Sequence, residues 1–123
     1  MIAGIIACAG PSVSSPAPPS PKTAAAVATD YYRAIAAQNY RQAFTYLAAN
    51  ARGPDGRRLT SQGFLQLAKI MESEAGQVTS FSVDVFHHLI VMTINRKKIG
   101  PYHAHLQLAR EGHTWAITSI DRI

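Results

Sequence analysis

The N-terminal half of the folded region repeats apolar side chains every three or four residues, which is the spacing of an amphipathic helix. From Thr23 onward, Val27, Tyr31 and Ile35 recur at intervals of four on an alanine-rich background. Polar residues such as Arg33 fall elsewhere on the helical wheel. This pattern predicts a first helix.

Two further helices are predicted between residues 39 and 76. Asn39 can cap the second helix, which we expect to end near residues 50–53, before a turn at residues 53–56. Thr60 or Ser61 can cap the third, and Gly76 can end it in the left-handed conformation. The predicted buried stripes are Tyr40, Ala43, Phe44 and Leu47 in the second helix, and Phe64, Leu67, Ala68 and Met71 in the third.

Beyond Gly76 the period changes to two, and β-branched and aromatic residues dominate, which predicts strands. In the first strand Asp84 alternates away from the apolar positions, so we expect it to face solvent. The alternating apolar sets are Phe81, Val83 and Val85, then Tyr102, Ala104, Leu106 and Leu108, and finally Trp115 and Ile117. Residues 89–95 are apolar on both faces apart from Thr93. We therefore predict an α+β fold, with three helices on one face of a four-stranded antiparallel sheet.

The N-terminal residues differ in composition from the rest. Residues 5–8 (IIAC) resemble a bacterial lipobox, although no Lys or Arg precedes them and the apolar run is short. We expect residues 1–8 to be a truncated lipoprotein signal with Cys8 as the lipidation site, and the Pro- and Ser-rich residues 9–22 to be an extended linker. The protein would then be extracytoplasmic and anchored to the bacterial cell membrane. The alternative is an unstructured N-terminus with an incidental cysteine.

Composition narrows the possible classes of protein. The chain has 123 residues, of which 47% are hydrophobic, and this is enough for one domain with one core at residues 23–123. The single cysteine excludes an internal disulfide and a cysteine-based zinc site. The formal net charge is +5, and basic residues gather at two predicted turns, residues 52–58 and 96–98. These turns could contact anionic lipid or could simply be solvated loops; nucleic acid is disfavoured because no aromatic residue is interleaved with them.

Residues 23–123 resemble the nuclear transport factor 2-like superfamily, and more closely its small lipoprotein members of unknown function. The residues that carry the resemblance are Tyr31, Tyr32 and Ile35, residues 39–43 (NYRQA), Leu59, Thr60, Ser61 and Phe64, residues 76–78 (GQV) and residues 113–117 (HTWAI). The resemblance implies a cone-shaped, cystatin-like fold in which a curved sheet wraps the helices and leaves a pocket at its wide end. Members of this superfamily include isomerases, dehydratases, hydrolases and binding modules, and many dimerise through the outer face of the sheet.

An enzyme with this cone would need a carboxylate or histidine in the pocket, with a donor such as tyrosine nearby. The candidate pocket residues are Asp30, Tyr31, Tyr32 and Tyr46. They do not resemble the Tyr and Asp arrangement of ketosteroid isomerases, nor the acid and arginine set of epoxide hydrolases. We therefore expect no catalytic residue and no cofactor, and a binding or interaction module that accepts a small apolar ligand. The alternative is an isomerase, dehydratase or hydrolase that uses the cone pocket.

Two histidines on the third predicted strand raise the question of a metal site. His103 and His105 share one face of that strand, but a hairpin turn centred near Lys98 would place Ile94 and Met92 opposite them, and these are not ligands. His87 and His88 lie at the far end of the same hairpin. We therefore expect no metal site but a homodimer interface, consisting of Ile90, Met92, Ile94, His103, His105 and Gln107. A bulge in the hairpin would exchange the two faces.

Overall fold

A computed structural model describes residues 22–87 and 89–123. Within them, three helices and five strands follow one another along the chain. The helices are α1 (Ala24–Ala36), α2 (Tyr40–Phe44) and α3 (Ser61–Ala75). The strands are β1 (Leu47–Arg52), β2 (Val78–Phe86), β3 (Leu89–Arg96), β4 (Gly100–Glu111) and β5 (Thr114–Ile120). Cys8 and the linker lie outside the described residues, as does His88.

The sheet has the strand order β1-β5-β4-β3-β2. Strands β2 to β5 form the predicted antiparallel meander, and β1 adds to its edge parallel to β5. Helix α1 packs against β2, β3 and β5, so the core lies between this helix and one face of the sheet. Leu106 is fully buried there and Trp115 is half-buried, whereas Asp84 is exposed as predicted. No helix in this part of the chain is long and apolar enough to cross a membrane.

The helix boundaries follow the predicted capping residues. Asn39 accepts a hydrogen bond from the backbone N–H of Gln42, and Thr60 accepts one from that of Gly63 at 3.0 Å. Helix α3 ends at Gly76 as predicted, but the conformation is not the predicted left-handed helical one: its φ of 90° and ψ of 173° lie in a region that only glycine adopts readily. A Cβ atom at this position would lie 2.7 Å from the backbone nitrogen of Lys98, so the glycine also permits close contact between α3 and the β3–β4 turn.

The second predicted helix is wrong beyond Phe44. Helix α2 spans only five residues, and Leu47–Arg52 form strand β1. Leu47 pairs with Ile117 of β5, and the N–H of Ile117 donates to the carbonyl oxygen of Tyr46 at 2.9 Å. The free edge of β5 therefore determines the conformation of this alanine-rich segment, overriding its helix propensity. The sheet is consequently five-stranded and mixed, where four antiparallel strands were predicted.

The predicted register of the β3–β4 hairpin is wrong by one residue. Thr93 pairs with His103 and Val91 with His105, without a bulge, because the turn between the strands contains three residues. Ile90, Met92 and Ile94 consequently point into the core and are buried, whereas His103, His105 and Gln107 are exposed on the opposite face. The six residues do not share a face, so the predicted dimer interface is incorrect in composition. Dimerisation itself stays a prediction.

Candidate functional site

The two tyrosines predicted to line the pocket lie in the core. Tyr31 and Tyr32 of α1 are fully buried, and their rings meet edge to face with centroids 5.1 Å apart. The Tyr31 ring also packs on Phe64 of α3, and the Tyr32 ring packs on Phe81 of β2. These rings occupy the interior of the domain between the helices and the sheet. The tyrosines line none of the surface cavities described below.

Arg96 reaches the same interior from the end of β3. It is 3% exposed and is the only charged residue buried within the described part of the chain. Its Nε atom donates to the hydroxyl oxygen of Tyr102 at 2.6 Å, and its Nη1 atom donates to the carbonyl oxygen of Gly76 at 2.7 Å. The Tyr102 hydroxyl donates in turn to the carbonyl oxygen of Ile123 at 2.7 Å. We call Tyr31, Tyr32, Arg96 and Tyr102 the interior cluster.

Arg96 was predicted to lie in a basic turn, and this is wrong, because it ends strand β3 and is buried. Lys97 and Lys98 are exposed, as a turn requires. Arg96 instead continues the inward series of Ile90, Met92 and Ile94, because alternate residues of a strand share a face. Its even spacing from these three residues is a signal in the sequence that could have identified it.

Three polar atoms of the interior cluster have no hydrogen-bond partner among the described residues: the hydroxyl oxygens of Tyr31 and Tyr32, and Nη2 of Arg96. Burial raises the pKa of both tyrosines, and the nearby Arg96 guanidinium partly opposes this increase. Both hydroxyls therefore stay protonated at neutral pH, and the interior presents O–H and N–H donors. Buried polar groups usually have partners, so these three atoms require an explanation.

No carboxylate or imidazole group is buried among the residues that the structure describes. The described histidines are exposed, and Asp30 and Glu72 are partly exposed. Proton abstraction inside the domain would need a buried carboxylate or imidazole group as the base. Among the described residues, the interior therefore contains no side chain of the types that exchange protons near pH 7.

A surface groove lies between α2 and α3, with a cavity volume of about 620 Å³. Its apolar floor contains Phe44 and Phe64, whose ring centroids are 5.5 Å apart. Glu72 accepts hydrogen bonds from Gln38 and Tyr40 at one end. Burial and Glu72 raise the pKa of Tyr40 to about 12. The α2–α3 groove is lined by these five residues together with Asn39, Arg41, Ser61, Gln62, Leu65 and Lys69.

The other two predicted pocket residues lie at the surface on a different side of α1. Asp30 forms ion pairs with Lys22 and, at 3.1 Å, with Arg33. Asp30 and Tyr46 together line a shallow cavity of about 320 Å³. Tyr46 also lines a cavity of about 560 Å³ beside Trp115. The structure therefore divides the predicted set into a buried pair, Tyr31 and Tyr32, and a surface pair, Asp30 and Tyr46.

The two histidines considered as metal ligands have other partners. The Nδ1 atom of His105 lies 2.7 Å from a carboxylate oxygen of Asp121, and that of His103 lies 3.3 Å from the Thr93 hydroxyl. Within residues 22–87 and 89–123, no three His, Cys, Asp or Glu side chains are grouped closely enough to hold a metal ion.

No protein-family model matches the sequence, and no curated protein is significantly similar to it. Solved structures are similar in fold. An uncharacterised protein with a cystatin fold from Novosphingobium aromaticivorans has a TM-score of 0.55 at 13% identity, over 80% of this chain and 95% of that one. A proposed ketosteroid isomerase from Shewanella frigidimarina has a TM-score of 0.52 at 14% identity, over 77% and 89%. A Nostoc punctiforme protein of unknown function with a cystatin-like fold has a TM-score of 0.50 at 9% identity, over 77% and 83%. The chain therefore has the cystatin-like fold that its sequence resemblance implied.

Proposed function

We propose that this protein is a non-catalytic binding module of the bacterial cell envelope, and that it binds a small amphipathic ligand in the α2–α3 groove. The observation that carries the proposal is the α2–α3 groove itself, whose floor contains the rings of Phe44 and Phe64. Inside the domain, Arg96 is the only buried charged residue in the described part of the chain. An arginine cannot act as a base at physiological pH, because its guanidinium group stays protonated. Binding requires no such base.

The α2–α3 groove has the features of a small-molecule site. Its volume of about 620 Å³ lies within the usual range for such sites, and its floor of aromatic rings can bury an apolar ligand body. The charged residues of its lining are Arg41 and Lys69, which carry positive charge, and Glu72, which carries negative charge. Leu65 extends the apolar surface and is 39% exposed. A ligand with an apolar centre and polar ends would match this distribution.

Attachment through Cys8 completes the proposal. A lipid chain on Cys8 and the linker at residues 9–22 would hold the domain near the membrane surface. Lys97 and Lys98 are exposed, as are Arg57 and Arg58. Each basic residue close to an anionic bilayer contributes about 1 kcal/mol to association, so these turns would favour the tethered position.

A fluorescence titration with N-phenyl-1-naphthylamine, a neutral apolar probe, tests the groove. Leu65→Asp places a carboxylate against the probe, and we expect it to weaken binding at least about tenfold because the charge must be desolvated. Ile70→Asp is the matched control, since Ile70 is also an exposed apolar residue of α3 but does not line the groove. Equal affinities of the two variants, or no binding by the wild type, would contradict the proposal.

The alternative is an enzyme that acts on a small molecule. The Shewanella protein, described as a proposed ketosteroid isomerase, motivates one assay: conversion of a β,γ-unsaturated ketosteroid into its conjugated isomer. We expect no turnover above the uncatalysed rate. Turnover that is lost in Asp30→Asn would support the enzyme instead, because Asp30 was the candidate base.

A further inference from the structure

We propose that the surface cavity beside Trp115 binds a proline-rich segment, and that residues 16–21 (PAPPSP) of the same chain occupy it. These residues lie outside the described part of the chain. The cavity has a volume of about 560 Å³, and we call it the Trp115 cavity. It shares no lining residue with the α2–α3 groove, so the inference does not depend on the ligand proposed there.

The pairing of β1 with β5 brings two aromatic side chains to the Trp115 cavity. Leu47 pairs with Ile117 in parallel, and the N–H of Ile117 donates to the carbonyl oxygen of Tyr46 at 2.9 Å. Tyr46 therefore lies beside the start of β5, where Trp115 is half-buried, and both residues line the cavity. The Nε2 atom of Gln42 donates to the Tyr46 hydroxyl at 3.3 Å, which helps to orient the ring. Aromatic-lined surfaces of this kind bind proline-rich segments in the polyproline II conformation.

The proline-rich segment is joined to the edge of this cavity. Lys22, the first described residue, lines it and directly follows residue 21. Thr23 has a φ of −73° and a ψ of 163°, close to polyproline II, so the chain approaches α1 in an extended conformation. In polyproline II each residue advances about 3.1 Å, so residues 16–21 would span about 19 Å, enough to cross the cavity. A segment tethered this closely has an effective concentration in the millimolar range, so even weak contacts would keep it bound.

The composition of the segment fits the lining of the cavity. Residues 9–21 contain no charged side chain, and four of residues 16–21 are proline. The charged residues of the lining, Lys22, Glu111 and His113, are exposed. A neutral segment can therefore cover the aromatic rings without burying a charge of its own.

Lys22 also lines the shallow cavity that contains Asp30, and this offers the segment a second place to bind. Its volume is only about 320 Å³, and Asp30 and Arg33 form an ion pair there. The Trp115 cavity is larger and includes the apolar side chains of Val27 and Leu47. Pyrrolidine rings gain more from apolar and aromatic surface than from an ion pair, so the Trp115 cavity is favoured.

Acrylamide quenching of tryptophan fluorescence tests the docking in the full-length protein. Trp115 is the only tryptophan of the chain, so the signal reports on this cavity alone. The key variant combines Pro16→Ser, Pro18→Ser and Pro19→Ser, which removes three rings without adding charge. Pro11→Ser, in the same linker but outside the docking segment, is the control.

We expect the quenching constant of the triple variant to exceed those of the wild type and of Pro11→Ser by at least about twofold, because the tethered segment no longer covers the indole ring. A peptide of residues 11–21, added at millimolar concentration, should restore the protection of the triple variant. Equal quenching constants in the three proteins, or a peptide without effect, would overturn the proposal. Protection of the wild type that is lost on dilution would also overturn it, because the segment would then come from a second copy.

Discussion

The Nε atom of Arg96 donates a hydrogen bond to the hydroxyl of Tyr102 over 2.6 Å, inside the domain. The same hydroxyl donates to the carbonyl oxygen of Ile123, and Nη1 of Arg96 donates to Gly76 at the end of α3. Two side chains therefore connect the β3–β4 hairpin to the end of a helix and to the segment after β5. We therefore expect this connection to contribute to the stability of the fold.

Tyr102→Phe should lower the free energy of unfolding by about 2 kcal/mol, because it leaves a buried N–H of Arg96 and the Ile123 carbonyl without their partner. Urea unfolding measures the change. Tyr32→Phe is the control: its hydroxyl has no partner in the described structure, so we expect its loss to be close to neutral. If the two substitutions cost the same, the hydrogen bonds of Tyr102 do not stabilise the fold.

Gly76→Ala should destabilise the protein by about 3 kcal/mol or more, since it combines a backbone conformation unfavourable for alanine with a close contact. The added Cβ would lie 2.7 Å from the backbone nitrogen of Lys98. Gly56→Ala is the matched control, with a φ of 79° but no atom within 4 Å of its Cβ position, and should cost about 1 kcal/mol. Equal losses in urea unfolding would show that the close approach of α3 to the β3–β4 turn is unimportant.

The free energy of unfolding should fall above pH 10, and each tyrosine with a raised pKa should contribute to this fall. Burial raises the pKa of Tyr31, Tyr32 and Tyr102, and burial with Glu72 raises that of Tyr40 to about 12. Unfolded tyrosines lose their protons near pH 10, so above this pH the unfolded state binds fewer protons than the folded state. The free energy of unfolding therefore falls as pH rises from about 10 to about 12.

Urea unfolding between pH 8 and pH 12 measures this dependence, with the variant Tyr40→Phe for comparison. We expect a shallower decline in the variant, because one raised pKa has been removed. A wild-type stability that stays constant over this range would contradict the burial of the tyrosines.

Lipidation of Cys8 is tested by labelling a bacterial expression host with radioactive palmitate. We expect the wild-type protein to incorporate label and Cys8→Ala to incorporate none, because the thiol is the attachment point. Ser14→Ala, in the linker, should label like the wild type. Equal labelling of the wild type and Cys8→Ala would defeat the proposed anchor.

Much of the fold could be predicted because it depends on local patterns. The spacing of Val27, Tyr31 and Ile35 identified α1, and the alternation around Val83 identified β2. Strand β1 was missed because its alanine-rich sequence favours a helix, and the parallel pairing with β5 that overrides this preference joins residues far apart in the chain. No local pattern contains that information.

The candidate site was harder to predict, because side-chain direction in a hairpin depends on the length of one turn. A shift of one residue reversed the face assigned to Met92 and its neighbours. The same shift concealed Arg96, which was assigned to an exposed turn and proved to be buried. The packing of α1 on the sheet determines where Tyr31 and Tyr32 lie relative to Arg96, and no local sequence pattern specifies this packing.

The location of a bound ligand tests the proposed function most directly. Backbone amide chemical shifts of the isotope-labelled protein, recorded during titration with N-phenyl-1-naphthylamine, would map that location. We predict saturable shifts concentrated in α2 and in the first half of α3, around Phe44, Phe64 and Leu65. Shifts confined to the exposed face of β3 and β4, or no saturable shifts, would contradict the assignment of the α2–α3 groove as the binding site.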